Sequence, residues 1–114
     1  MGLFDRFKKK PEPSGPFHYR IDDVFKIKSH GTVVTGQVLV GSVRKGEAVS
    51  YGPAPGETAF SCAVGDIERP DPATRKPCHP EEARADGPYR GSCALLIPEH
   101  DAGEFQPGWY LFKE

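Results

Sequence analysis

An all-β domain, an antiparallel barrel or sandwich, is the fold class that three features of this sequence predict. Short runs of β-branched and aromatic residues recur along the chain, 13 glycines and 12 prolines punctuate them, and no long segment carries the apolar period of a helix. Proline and glycine supply turns and are disfavoured inside helices, so composition and pattern point the same way. At 114 residues the chain suits a single core, because a second one would bury too little surface to be stable.

The charge balance narrows the partners. A formal net charge of -1 exerts no global pull on nucleic acid, which is usually met by a basic face, so any RNA contact has to be local. Cys62, Cys78 and Cys93 are an odd set without paired spacing, which argues against a disulfide framework and for reduced thiols in a cytoplasm. Cys78-His79 lacks a second ligand pair, and no metal is expected.

Residues 1–16 read as a tail and linker. Leu3, Phe4 and Phe7 share one face of a short turn, a basic run follows, and Pro11, Pro13 and Pro16 suit an extended connection. The tail is compatible with weak contact at an anionic membrane surface, but it is too short and polar to span a bilayer or act as a signal peptide. The domain proper is expected over 17–114. Its first strand is Phe17 to Ile27, bent near Asp22 and Asp23. The strongest strand is Thr32 to Val40, with Val34, Gly36, Val38 and Val40 on one face and Val33, Thr35, Gln37 and Leu39 on the other.

Gly36 inside that run marks a bulge or a close backbone approach. Ser42-Val43 and Ala48 to Tyr51 read as short strands on either side of a turn at Gly46, and Thr58 to Ile67 as one strand after a loop at Gly52 to Gly56. Prolines at 70, 72, 77, 80 and 88 exclude a central strand or a long helix, leaving at most a helical turn at Glu81 to Arg84. Ser92 to Ile97 is a buried strand, and Trp109 to Phe112 is the last, after the turn Gln106-Pro107-Gly108.

Ile21-Asp22-Asp23-Val24-Phe25, then Gly31-Thr32-Val33-Val34-Thr35-Gly36, then Val38, Gly41, Val43 and Gly46 resemble the second, β-barrel domain of elongation factor Tu and related translational GTPases. The resemblance extends from about Phe17 to Phe112 and includes Ile67-Glu68 and Glu82-Ala83-Arg84-Ala85. It implies a small antiparallel translation-protein barrel, here free-standing. It also implies an edge that cradles the aminoacylated end of tRNA or contacts ribosomal RNA, lined in this chain by Asp22, Asp23, Phe25, Thr32, Thr35 and Glu68. His30 stands where the family has an arginine and substitutes for it only when protonated. The loop after Glu68 is longer and more proline-rich than the family's, with Arg69-Pro70 replacing an aromatic.

Each of these positions also has a purely structural reading. Phe25 fits a core, Asp22 and Asp23 fit turn chemistry, Thr32 and Thr35 fit β propensity, Glu68 fits a solvated face and His30 fits a turn. The glycine spacing from Gly36 to Gly41 lacks the lysine of a phosphate-binding loop, and no Ser or Cys sits in a nucleophile elbow. No nucleotide, no cofactor and no catalysis are expected. Two functions fit: a non-enzymatic binding module for RNA (tRNA or ribosome, from the resemblance) or a translation-related partner, and an adaptor barrel that docks an unknown protein without touching RNA, with the basic N-terminal tail locating it.

Overall fold

The computed structural model describes residues 15–27 and 31–114. The expectations for the tail before Gly15 and for His30 lie outside these residues. Among the described residues ten strands form, β1 (Phe17–Ile27), β2 (Gly31–Val40), β3 (Ser42–Arg44), β4 (Ala48–Gly52), β5 (Phe60–Ala63), β6 (Asp66–Pro70), β7 (Pro77–Cys78), β8 (Glu82–Arg84), β9 (Ser92–Ile97) and β10 (Tyr110–Lys113). The main sheet runs β5-β4-β10-β1-β2-β9-β6-β7, every pair antiparallel, and β3 pairs with β8 beside it. Because β5 and β6 are consecutive in the chain, the bend at Val64-Gly65 brings the sheet round on itself as a barrel.

Alternation builds the inside. Phe17, Tyr19 and Ile21 of β1, Val34 and Val38 of β2, and Leu95 and Ile97 of β9 are at most 1% exposed and pack in one cluster with Tyr51, Ile67 and Leu111. At one end Tyr51 gathers aromatic rings, with centroids 4.9 Å from Phe60, 4.9 Å from Phe105 and 5.2 Å from Trp109. The Tyr51 hydroxyl accepts the Gln106 N–H at 2.7 Å, so its polar end is satisfied where it is buried.

The strands depart from the sequence expectations at three places, each for a tertiary reason. Val40 is 41% exposed rather than inward, because the register steps from His18↔Val40 to Tyr19↔Val38 and leaves Leu39 bulged. The single strand expected from Thr58 to Ile67 is two, since Gly65 donates its N–H to the Leu96 carbonyl at 2.7 Å and carries the chain from its partner β4 to its new partner β9. Glu81 to Arg84 is not a helical turn. Its residues extend as β8 against β3, with Ala83 buried and bonds from the Lys45 N–H to the Glu81 carbonyl (2.8 Å) and from the Ala85 N–H to the Gly41 carbonyl (2.9 Å) closing both ends. As expected, β3 and β4 flank the turn at Gly46; β3 pairs with β8, and β4 with β10 and β5.

Candidate functional site

The site begins with a bulge. In β1 the register passes from Ile21↔Gly36 to Asp23↔Thr35, so Asp22 has no partner across the ladder. An extra residue breaks the alternation that would have sent the two aspartates to opposite faces, and both are exposed. Opposite the bulge lies Gly36. A Cβ at this position would run into the Arg20 carbonyl oxygen and stand 3.1 Å from the Tyr19 ring. Gly36 is therefore a close-approach glycine with an ordinary φ. Tyr19 runs beneath it, its hydroxyl donating to the Cys93 carbonyl at 2.7 Å, and burial pushes the phenol well above its ordinary pKa.

Pairing across β2 and β9 then sets the outer rows. Asp23↔Thr35, Thr35↔Ala94 and Ala94↔Glu68 form one row, and Phe25↔Val33 and Val33↔Leu96 the next. Beyond Glu68 the chain folds back as the β6–β7 hairpin, which overhangs this face. The result is a cavity of about 500 Å³ bordered by Asp22, Thr35 and Gly36, by Glu68 and Arg69, by Cys93 and Ala94, and by Arg75 from the hairpin tip.

The structure thus brings together Asp22, Thr35 and Glu68 of the expected edge. Asp23 is exposed in the same row as Thr35. Phe25 lies one row along and is 51% exposed, so it is not a core residue. Thr32 falls away from the site: it is fully buried, and its hydroxyl donates to the His100 carbonyl at 2.6 Å, tying β2 to the aromatic end of the barrel.

Two cations that the expected edge did not include complete the cavity. Arg69 donates to the Pro70 carbonyl at 3.2 Å and reaches the Cys78 sulfur at 3.6 Å. Arg75 projects from the hairpin in a left-handed conformation, φ 65°. The available signal was the segment Asp71 to Lys76 between two prolines, with an Asp and a Thr placed to bond their own backbone. Among the described residues Asp22 pairs only with the exposed Arg20, at 3.3 Å, an interaction of little worth in water. No ion pair engages Glu68 or Arg75 among the described residues. Two carboxylates and two guanidiniums facing one cavity suit a ligand that carries both signs of charge, not a uniform polyanion.

The architecture is that of the β-barrel domain of the elongation factor Tu kind found in translation factors. The comparisons agree. The chain is 24% identical to a bacterial selenocysteine-specific elongation factor, EF-Sec, with a TM-score of 0.66, and 26% identical to the elongation factor SelB of Methanococcus maripaludis in its apo form, with a TM-score of 0.67. Each match covers 88% of this chain but only 15% and 19% of those proteins. A segment of 38 residues, 33% of this chain, is 47% identical to the selenocysteine-specific elongation factor of Mus musculus, of which it spans 6%. No protein-family model matches the chain. Among the described residues no helix is long and apolar enough to cross a membrane.

Proposed function

We propose that this barrel is a non-enzymatic binding module of translation whose cavity beside Gly36 holds the aminoacylated 3′ end of a tRNA in the cytoplasm. The observation that carries the reading is the convergence of Asp22, Thr35 and Glu68 with Arg69 and Arg75 on one cavity. An aminoacyl ester of a terminal nucleotide presents an ammonium group, ribose hydroxyls and a phosphate within a short span. Carboxylates meet the first two and guanidiniums the third. Such recognition is local, and it needs no basic face on a chain of net charge -1.

The test uses the full chain and a short RNA hairpin ending in a single-stranded 3′ end, with or without an aminoacyl group attached through a stable amide. Fluorescence anisotropy should show tighter binding of the aminoacylated form, with Glu68→Ala and Asp22→Ala each weakening it about tenfold, the scale of a hydrogen bond to a charged group. Equal affinity for the two RNAs, or none for either, would overturn the reading.

A protein-docking adaptor is the second reading, and it is favoured by the row Phe25, Val33 and Leu96, in which Phe25 is 51% exposed. Replacing Phe25 with a photoreactive phenylalanine analogue in cells separates the two. Cross-links to one protein, with no RNA bound at the cavity, would support the adaptor.

A further inference from the structure

Outside the cavity beside Gly36, the turn Pro88–Gly91 adopts a costly conformation that the core does not use. Tyr89 (φ 56°, ψ 26°) and Arg90 (φ 57°, ψ 34°) both lie in the left-handed region, followed by Gly91 at φ 84°. Residues with a Cβ avoid this region, and runs of it are rarer than single visits. The turn is held from several sides. Gln37 Nε2 donates to the Arg90 carbonyl at 2.9 Å, the Ser92 N–H donates to the Tyr89 carbonyl, and Gly91 lies so close to β2 that a Cβ there would stand 2.7 Å from the Val38 carbonyl oxygen. Strain fixed by its surroundings recurs where a side chain has to be aimed. The side chain aimed here is Tyr89, 44% exposed.

Its ring faces a second cavity of about 550 Å³, lined with Pro70, Pro72, Pro88 and Arg75. Pro70 and Arg75 also border the first cavity. The two cavities therefore adjoin at Pro70 and Arg75, with Asp22 and Glu68 bordering the first and Tyr89 the second. Arg75 stands at the junction, its N–H bonded to the Asp71 carbonyl at 2.7 Å. The Asp71 carboxylate is occupied by the N–H groups of Ala73 (2.8 Å) and Thr74 (3.1 Å), and no carboxylate pairs with the Arg75 guanidinium among the described residues.

An exposed aromatic ring bordered by prolines, with an unpaired guanidinium one step along, provides base stacking beside a phosphate contact. A proline-rich peptide would use the ring but would leave the guanidinium and the acidic end unmatched. We infer that the two adjoining cavities together take the single-stranded end of an RNA, with the terminal nucleotide between Asp22 and Glu68, the next phosphate on the shared Arg75 and a preceding base stacked on Tyr89. This inference rests on the reading of the first cavity as an RNA-end site and adds a second contact point that comes from the proline-rich loop.

Two probes separate the two claims, both used with the full chain: a labelled RNA tetranucleotide with a 3′-aminoacylamino end, and 3′-aminoacylamino-adenosine alone. Tyr89→Ala should weaken the tetranucleotide about tenfold, Tyr89→Phe should bind like the parent, and neither should affect the nucleoside. Arg75→Gln should reduce the slope of log affinity against log salt by about 0.7, the value for one phosphate of a single strand. Parental tetranucleotide affinity in Tyr89→Ala, with the nucleoside still bound, overturns the inference and leaves the first cavity's reading intact. Loss of the tetranucleotide in Tyr89→Phe as well as Tyr89→Ala points to disturbed structure and also overturns it. Failure of both probes to bind the parent overturns both claims.

Discussion

The strand β2 and the segment 70–91 both border the cavity beside Gly36 and are held in place by different means. β2 lies between β1 and β9 and buries Thr32, Val34 and Val38 to 1% exposure or less. Segment 70–91 buries only Ala83 and Gly91. It takes its shape from directional bonds, some local, such as those of the Asp71 carboxylate, and some to β2, β3 and Gly41, and it holds Arg75, Tyr89 and Arg90 in the left-handed region. The barrel wall is thus fixed by the sum of many packing contacts, and the loop by a few directional ones. Substitutions in the wall should register as stability, and substitutions in the loop as changes of ligand contact at nearly constant stability.

The largest expected effect is at Gly36. Gly36→Val raises nominal β propensity yet places a side chain against the Arg20 carbonyl oxygen, a backbone atom that cannot rotate away, and against the Tyr19 ring. A loss of about 3 kcal/mol is expected, the upper part of the overpacking range, read from the shift of the urea midpoint. A variant as stable as the parent would mean that the wall is as forgiving as the loop.

The cysteines compare the two regions directly. Burial pushes the thiols of Cys62 and Cys93 up to about 12, while Cys78 is only half-buried on the β6–β7 hairpin. The thiolate is the reactive form, so at pH 8 a disulfide reagent should modify Cys78 alone in the native protein and all three cysteines in denaturant. Fast native labelling of Cys93 would show that the wall opens beside the candidate site.

The smallest effect belongs to the hairpin tip. The N–H groups of Thr74 and Ala73 hold the Asp71 carboxyl below the usual carboxylate range. A carboxylate with a depressed folded value supports its turn above its unfolded value, near pH 4, and loses that support as the pH falls through the folded value. The amide resonances of Ala73 and Thr74 should therefore shift with a midpoint below that of a free aspartate, while that of Val34 stays still. A midpoint at or above the free value would show that the carboxylate does not organise the tip.

Part of the cavity's border was legible in the sequence. The expected edge contained Asp22, Thr35 and Glu68, which the structure places around one cavity, and the Gly36 position was marked for a close approach that the Arg20 carbonyl explains. Thr32 was legible only as a strand former, because nothing local says that its hydroxyl meets the carbonyl of His100 far along the chain. Arg75 and Tyr89 were hidden for a different reason. Their left-handed backbone is what no local preference of arginine or tyrosine predicts, and it exists because contacts such as Gln37 to Arg90 and Gly91 against Val38 impose it.

By itself the sequence determined that Val34, Gly36 and Val38 share one face and Val33, Thr35 and Gln37 the other, because side chains alternate with a period of two wherever the backbone is extended. It also marked the turn at Gly46, where φ reaches 91°. Only the tertiary structure decided which strands pair, where the bulges at Asp22 and Leu39 fall, that Glu82 to Arg84 extends against Ser42 to Arg44, and that the proline-rich loop lies over β2 and β9. The physical reason is range: facing is set by neighbours in the chain, whereas pairing and register are set by contacts among distant segments, whose energies are comparable until the whole barrel closes.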